Sequence, residues 1–164
     1  MPLNELLEEI SRRHFPNPPA SPQQIEDFER RAGWRLDPDL RAFYSRFDGA
    51  RLFKRDDEIY RILPLSEIVR ARVAILGKDS DEYGPASWYA ICDTGDSDYV
   101  AVDASTMENG RYPLLDCFHE TFMEAGSNKR IAHSFSDFLE RALRSGGRPY
   151  WLKNDWALLP APPS

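Results

Sequence analysis

Four aspartates cluster in and around the segment DTGDSD, and carboxylates at such close spacing can bind a hard cation. They are Asp93, Asp96, Asp98 and Asp103. Calcium-binding loops place acidic ligands at alternate positions, supply a glycine for the turn and end on a bidentate glutamate. This segment has its glycine third and lacks the closing glutamate. We therefore interpret it as the solvated loop of a β-hairpin whose aspartates bond the turn backbone, and we predict no metal site.

Cys117 and His119 lie two residues apart and, on a strand, would point to the same face. Together with Cys92 they suggest a zinc site, but the paired CxxC spacing and a fourth ligand are missing from the pattern. A Cys–His nucleophile needs an activated thiol, and Cys117 lies in an apolar strand without a glycine-rich turn or a helix N-terminus. We interpret the cysteines as core residues. The sequence predicts no catalytic residue and no cofactor.

The composition of the chain limits the kinds of partner that we expect it to bind. The chain has 164 residues and a formal charge of −6, which disfavours nucleic acid and anionic membranes. Arginine-rich stretches lie beside glutamates on predicted helices and are typical of solvated helix faces. The N-terminus does not read as a secretory signal, and apolar runs are shorter than a membrane span. We therefore expect a soluble cytoplasmic protein.

Helices are predicted from apolar spacing and capping residues. The first should span residues 2–13, and a proline-rich connector follows it. Ser21, Pro22 and Gln24 form a capping box for the second helix, which Gly33 should end. Asp37 and Pro38 start a third helix in the same way, with an apolar face that ends at Gly49. Two further helices are predicted to begin at Ser66 and at Ser134.

Strands are predicted where the period changes to two. Residues 59–63 form one candidate, and residues 88–103 read as a hairpin around the polar loop. Asn109-Gly110 is a strong turn signal, so residues 112–118 should return antiparallel to the second hairpin strand. The tail keeps Tyr150, Trp151 and Trp156, which are too apolar to remain fully exposed. We expect one domain over residues 1–150 and an extension over 151–164, partly packed, with a mobile proline-rich end.

The order and spacing of these segments resemble a known family. The matching stretches are IEDFERRAGWRLDPDLRAFYSRFDGA (25–50), YRILPLSEI (60–68), WYAICDTGDSDYVAVD (88–103) and SFSDFLERAL (134–143). In this arrangement, over residues 21–145, the chain resembles the SUKH superfamily, the Smi/Knr-type cell-wall regulator and bacterial immunity-protein group. Asp37-Pro38 stands where Leu-Pro is commoner, and Asp48-Gly49 where Asn-Gly is commoner. Both replacements keep the capping chemistry.

The resemblance implies an α+β domain with helices packed on one side of a mainly antiparallel sheet, here of about four to six strands. It also implies a binding protein without an active site: bacterial members look like immunity proteins that neutralise toxins, often nucleases, and fungal relatives act as scaffolds in cell-wall signalling. The family's signature residues look structural; in this chain they are Trp34, Leu36, Pro38, Tyr44, Phe47, Gly49 and Gly95.

Acidic loops provide the candidate surface for a partner. A basic nuclease would gain encounter rate and complementarity from a negative surface. The loop before the hairpin and the hairpin tip carry the candidates, which are Asp79, Asp81, Glu82, Tyr83, Asp96 and Asp98. A second acidic run comprises Asp56, Asp57 and Glu58. The alternative function is a scaffold or regulatory domain that binds an endogenous protein; an enzyme using Cys117 with His119, or a metal at the acidic loop, is a third and weaker hypothesis.

Overall fold

A computed structural model describes residues 1–53, 60–95, 97–120, 122 and 128–152. The helices in that part of the chain are α1 (Leu3–Arg13), α2 (Pro22–Ala32), α3 (Pro38–Arg46), α4 (Ala71–Leu76) and α5 (Phe135–Leu143). The strands are β1 (Phe15–Pro16), β2 (Ala50–Leu52), β3 (Tyr60–Ile62), β4 (Val69–Arg70), β5 (Trp88–Gly95), β6 (Asp98–Asp103), β7 (Leu114–Cys117) and β8 (Arg130–Ala132). Three 3₁₀ turns lie at Leu65–Glu67, Asp81–Tyr83 and Tyr150–Leu152.

All described strands belong to one antiparallel sheet. Its order is β1-β2-β3-β5-β6-β7-β8, and β4 pairs with β5 beside β3. The α+β class and the mainly antiparallel sheet are therefore confirmed. The eight strands exceed the four to six expected, because the additional ones, β1, β2, β4 and β8, are two or three residues long. A period of two cannot be recognised over so short a stretch.

The predicted hairpin forms, with a tighter end than expected. Strand β5 continues to Gly95 and β6 starts at Asp98, and these two residues pair. Most of the polar segment therefore belongs to the strands, and Gly95 adopts a φ of 93° at their end. Asn109 and Gly110 both have positive φ, at 53° and 74°, as a type I′ turn requires. Strand β7 then returns along β6, which confirms that prediction.

Registered residues share a face of the sheet, so its two faces can be assigned. The row Ile62–Cys92–Val100–Asp116 lies on the inner face, and the row Arg61–Asp93–Tyr99–Cys117 lies on the outer face. Buried residues of α1, α2, α3 and α5 pack on the inner face and form the main core. The short helix α4 instead packs on the outer face, where Ala71, Ala101, Cys117 and Phe122 form a second small core.

Local capping signals place three helix starts correctly and miss one. Ser21 and Gln24 form the predicted capping box of α2, Asp37 caps α3 and Ser134 caps α5. The helix predicted to begin at Ser66 begins instead at Ala71, after a 3₁₀ turn and β4. The reason is tertiary: Val69 and Arg70 pair with β5, and this pairing keeps the chain extended.

The C-terminal part of the described chain is held against the sheet. Tyr150 and Trp151 are both buried, and the Tyr150 hydroxyl donates to the Ile131 carbonyl of β8 at 2.6 Å. Trp156 and the proline-rich end lie outside the described residues, so the predicted extension stays a prediction. None of the described helices, of which the longest have 11 residues, could cross a bilayer.

Candidate functional site

The loop between α4 and β5 carries the first group of predicted contact residues, and two arginines organise it. Asp79 accepts from Arg70 Nη1 at 2.8 Å and from Arg72 Nε at 2.7 Å. Arg72 also donates through Nη1 to Asp81 at 2.9 Å and to the Gly84 carbonyl at 3.1 Å. These hydrogen bonds, with Arg72 first, lower the pKa of Asp79 below its usual range. Asp79 therefore holds the loop in place through these two arginines, and its carboxylate is less available to a partner.

The neighbouring predicted residues are more accessible. The side chain of Asp81 is 95% exposed although it bonds Arg72, and Glu82 is exposed beside it in the 3₁₀ turn. Tyr83 is half-buried, with the Lys78 ammonium 5.6 Å from the centre of its ring. The loop thus presents the carboxylates of Asp81 and Glu82 beside the ring of Tyr83.

The end of the hairpin carries the second group. Asp98 Oδ1 accepts from the His119 backbone N–H at 2.8 Å and lies 2.7 Å from His119 Nδ1. This double contact ties β6 to the chain that follows β7, and it leaves the Asp98 side chain 20% exposed. Asp96, like Asp56, Asp57 and Glu58, lies outside the described residues.

The two predicted groups lie at opposite ends of the hairpin. Arg70, which holds Asp79, pairs with Tyr89 near the start of β5, whereas Asp98 pairs with Gly95 at its end. Gly95 lies six positions after Tyr89 along the strand, a length of about 20 Å. Their closeness along the chain predicts both groups on one surface. In the fold they form two separate acidic ends.

Tyr44 and Gly49, two of the family-signature residues, lie where the end of β3 meets the helical layer. The buried Tyr44 hydroxyl donates to the Leu63 carbonyl at 2.6 Å. Gly49 has a φ of 91°, and a Cβ there would lie 2.7 Å from the Ile62 carbonyl oxygen. Phe47 packs edge-on to Phe43 in the same core.

The other signature residues are also placed in the framework. Trp34 packs against three rings, those of Phe28, Tyr89 and Tyr112. The remaining signature residues have simple positions: Leu36 is buried, Pro38 opens α3 and Gly95 ends β5. We propose a structural role for the whole set.

Two buried aspartates, Asp37 and Asp39, lie at the start of α3, and the sequence indicates a role only for Asp37, as the helix cap. Asp37 caps the helix and also accepts from the Tyr112 N–H at 2.9 Å, 75 residues away. Asp39 accepts from Arg111 Nε at 3.0 Å and from the Ser136 N–H at 3.3 Å. Burial raises the pKa of Asp37, and the two backbone N–H groups oppose that rise. The pair joins α3, α5 and the turn before β7, and a cap signal is the only local hint of it.

The cysteine chemistry considered for this chain finds no support in the geometry. Cys92 lies on the inner face and Cys117 on the outer face, so the two thiols cannot share a metal ion. Both are free and buried, and burial raises the pKa of each thiol well above its usual range. His119 lies beyond the end of β7, with its ring against Asp98. Within the described ranges, His, Cys, Asp and Glu side chains do not form a group of three able to hold a metal.

The aspartates of the DTGDSD region are engaged separately. Asp93 accepts from the Gly95 N–H at 2.8 Å and pairs with Arg61. Asp103 accepts from the backbone and hydroxyl of Ser105 at 3.0 and 2.6 Å. Asp93 and Asp103 thus bond backbone N–H groups at turns, as the sequence predicts for the aspartates of this region.

Comparison with known proteins agrees with this framework. Residues 19–141 match the model of the SMI1 / KNR4 family (SUKH-1). The chain is also similar to the immunity protein YokJ of Bacillus subtilis (strain 168), with 29% identity over 126 residues, which cover 76% of this chain and 75% of that protein. Three quarters of the sequence, from the connector before α2 to the last turns of α5, therefore follow one family pattern. The chain belongs to the SMI1 / KNR4 family (SUKH-1).

Proposed function

We propose that this chain is an immunity protein that neutralises a protein toxin by binding it, without catalysing a reaction. The observation that carries the proposal is the similarity to immunity protein YokJ over three quarters of both chains. The site chemistry supports it. Both thiols are buried with raised pKa values, and the predicted acidic residues hold arginines, turn backbone or a histidine. Two free cysteines suit a reducing compartment, and we place the protein in the cytoplasm.

The proposed partner is a toxin with a basic surface, such as a nuclease, whose phosphate-binding cleft is positive. A negative partner increases the rate of encounter with such a surface and suits its charge. The acidic ends of the hairpin lie about 20 Å apart along β5. A standard interface of about 800 Å² per partner is roughly 30 Å across, so one toxin can contact both ends.

Roles within the surface follow from the contacts. We assign Asp81, Glu82 and Tyr83 as contact residues at one end, and Asp79 as the residue that positions them through Arg70 and Arg72. At the other end the proposed contact residues are Asp96 and Asp98, and the Asp98 carboxylate is 20% exposed and bonded to His119.

Coexpression tests the function itself. A candidate toxin encoded beside this chain's gene is expressed in a susceptible host with and without the protein. We expect growth to be restored only when the protein is present, and the purified pair to elute as a complex of fixed stoichiometry. Continued growth arrest and separate elution would contradict the proposal and favour the regulatory, scaffold-type function instead.

Charge reversal tests the surface. Glu82→Lys and Asp96→Lys should each slow association with that toxin at low salt, by about tenfold, and reduce its salt dependence. Glu5→Lys is the matched control, because Glu5 is an exposed residue of α1 and its reversal changes the net charge equally. If association with Glu5→Lys falls as far as with Glu82→Lys, only net charge matters and the assigned surface is wrong.

A further inference from the structure

His14 and Phe53 meet where α1 leads into the first strand of the sheet. His14 is the C-cap of α1 and directly precedes β1, and Phe53 directly follows β2. Because β1 pairs with β2, these residues are neighbours although 39 positions separate them. The Phe53 N–H donates to His14 Nδ1 at 2.8 Å, and the two rings lie edge to face with their centres 4.9 Å apart.

This hydrogen bond specifies the protonation state of the imidazole. A backbone N–H can only donate, so His14 Nδ1 accepts through its lone pair and the ring proton lies on Nε2. An imidazolium carries a proton on both nitrogens and cannot accept this bond. The observed contact is therefore compatible only with neutral His14.

Phe53 has a backbone conformation that needs such support. Its φ is 69°, in the left-handed region that bulky side chains rarely adopt. The centre of its ring lies 6.1 Å from that of Tyr60, and a Cβ added at Gly147 would lie 3.5 Å from Phe53 Cγ. The Tyr60 hydroxyl in turn donates to the Arg148 carbonyl at 2.5 Å. Phe53 thus joins the end of β2 to α1, to β3 and to the glycine turn after α5.

Burial and neighbouring charges both act on His14. Burial lowers the pKa of its imidazole, Glu9 opposes this decrease and Arg13 adds to it. The Glu9 carboxylate is itself bonded by the Arg144 guanidinium at 2.9 and 3.0 Å. The described elements around the contact bring to it Glu9 and Arg13 of α1, Arg51 of β2, Tyr60 of β3, and Arg144 and Arg148 after α5.

We propose that His14 is a clasp that holds the end of β2 and that acid releases. At neutral pH the imidazole accepts from the Phe53 N–H and supports its left-handed backbone. When a proton from solvent binds Nδ1, two N–H groups face each other and the hydrogen bond is lost. Phe53 then relaxes toward an extended backbone, and its ring leaves Tyr60 and Gly147. This inference does not depend on the proposed toxin partner.

NMR and hydrogen exchange test the clasp in the purified protein. At pH 7.5 the ¹⁵N shifts of the His14 ring should report a proton on Nε2 and none on Nδ1. Between pH 7.5 and 4.5 the protection of the Phe53 amide, corrected for intrinsic exchange, should fall roughly tenfold as the ring titrates, whereas amides of α2 should keep theirs. The opposite tautomer, flat protection of Phe53, or an equal fall in α2 would overturn the proposal.

Two substitutions of His14 differ in whether they keep the acceptor. In His14→Asn the amide oxygen can occupy the position of Nδ1 and does not titrate, so Phe53 should stay protected at both pH values. In His14→Gln the amide oxygen lies one bond farther out, so protection should be low at both. His119→Asn, after β7, is the control and should keep the parent's pH dependence. Persisting pH dependence in either His14 variant, or equal protection in the two, would contradict the clasp.

Discussion

At the scale of single residues, Gly49 and Gly33 show that the same backbone conformation can have very different consequences. Both have positive φ, at 91° and 83°. A Cβ at Gly49 would lie 2.7 Å from the Ile62 carbonyl oxygen and 2.9 Å from the Pro64 nitrogen, and both are backbone atoms. A Cβ at Gly33 would have no neighbour within 4 Å. Gly49 is therefore required both by its conformation and by the approach of β3.

We predict that Gly49→Ala lowers the free energy of unfolding by about 3 kcal/mol or more, because backbone strain and a clash act together. Gly33→Ala should cost only about 1 kcal/mol, since it introduces the strained φ alone. Urea denaturation of the two variants measures the difference. Equal losses in the two variants would show that close packing at Gly49 is unimportant.

At the scale of elements, two serines illustrate when a capping signal is used. Ser21 accepts from the Gln24 N–H, and the Gln24 side chain accepts from the Ser21 N–H. Ser66 is an equally plausible cap by sequence, yet it is an exposed residue of a 3₁₀ turn that is preceded by Pro64 and has no capping side-chain bond. The difference arises because β4 pairs with β5 and delays the helix.

Ser21→Ala should therefore destabilise the protein by about 1 kcal/mol, the usual effect of losing a helix cap. Ser66→Ala should change the free energy of unfolding by no more than about 0.5 kcal/mol. Thermal and urea unfolding of both variants provide the measurement. A loss at Ser66 as large as that at Ser21 would contradict the assignment of Ser66 to the turn.

The loop before β5 is an element whose order depends on Arg72. Arg72 is almost fully covered and joins Asp79, Asp81 and the Gly84 carbonyl. We predict that Arg72→Gln makes this loop more susceptible to proteolysis, because two carboxylates lose their shared cation. Arg30→Gln is the control, since the Arg30 guanidinium bonds two exposed carboxylates of its own helix, those of Glu26 and Asp27. Equal cleavage of the two variants would show that Arg72 does not order the loop.

At the scale of the whole molecule, two titrating groups oppose each other in the dependence of stability on pH. His14 Nδ1 accepts from the Phe53 N–H at 2.8 Å, and burial lowers the pKa of its imidazole. The stability that neutral His14 contributes is complete above the pKa of histidine in the unfolded chain, about 6.5. It is lost as the pH falls toward the lower pKa of His14 in the folded protein. Asp116 has a folded pKa of about 6, above its unfolded value, so it adds stability as the pH falls through 6.

Removing either group should expose the effect of the other. Asp116→Asn should raise the free energy of unfolding at pH 7 by about 2 kcal/mol, from 1.4 kcal/mol per pKa unit with an allowance for partial exposure. Its advantage over the parent protein should disappear below about pH 4. The free energy of unfolding of His14→Gln should be higher at pH 5 than at pH 7, because the effect of Asp116 remains. Urea titrations at several pH values test both; parallel profiles for all three proteins would contradict them.

The sequence alone determined the features that depend on neighbouring residues. Apolar spacing and caps predicted α1, α2, α3 and α5, and the Asn109-Gly110 turn predicted how β7 returns along β6. These predictions succeed because a cap or a tight turn is satisfied within a few residues of itself. The family pattern, which consists of such local signals in a set order, was recognisable for the same reason.

Only the tertiary structure decided which distant groups meet. Pairing between strands separates the acidic residues to opposite ends of β5 and brings Asp98 to His119. It also delivers the Tyr112 N–H to Asp37, and places Asp116 opposite Val100 on the core-facing side of the sheet. Such contacts depend on sheet register and side-chain reach between residues far apart in the chain. A local pattern of residue types carries no information about either.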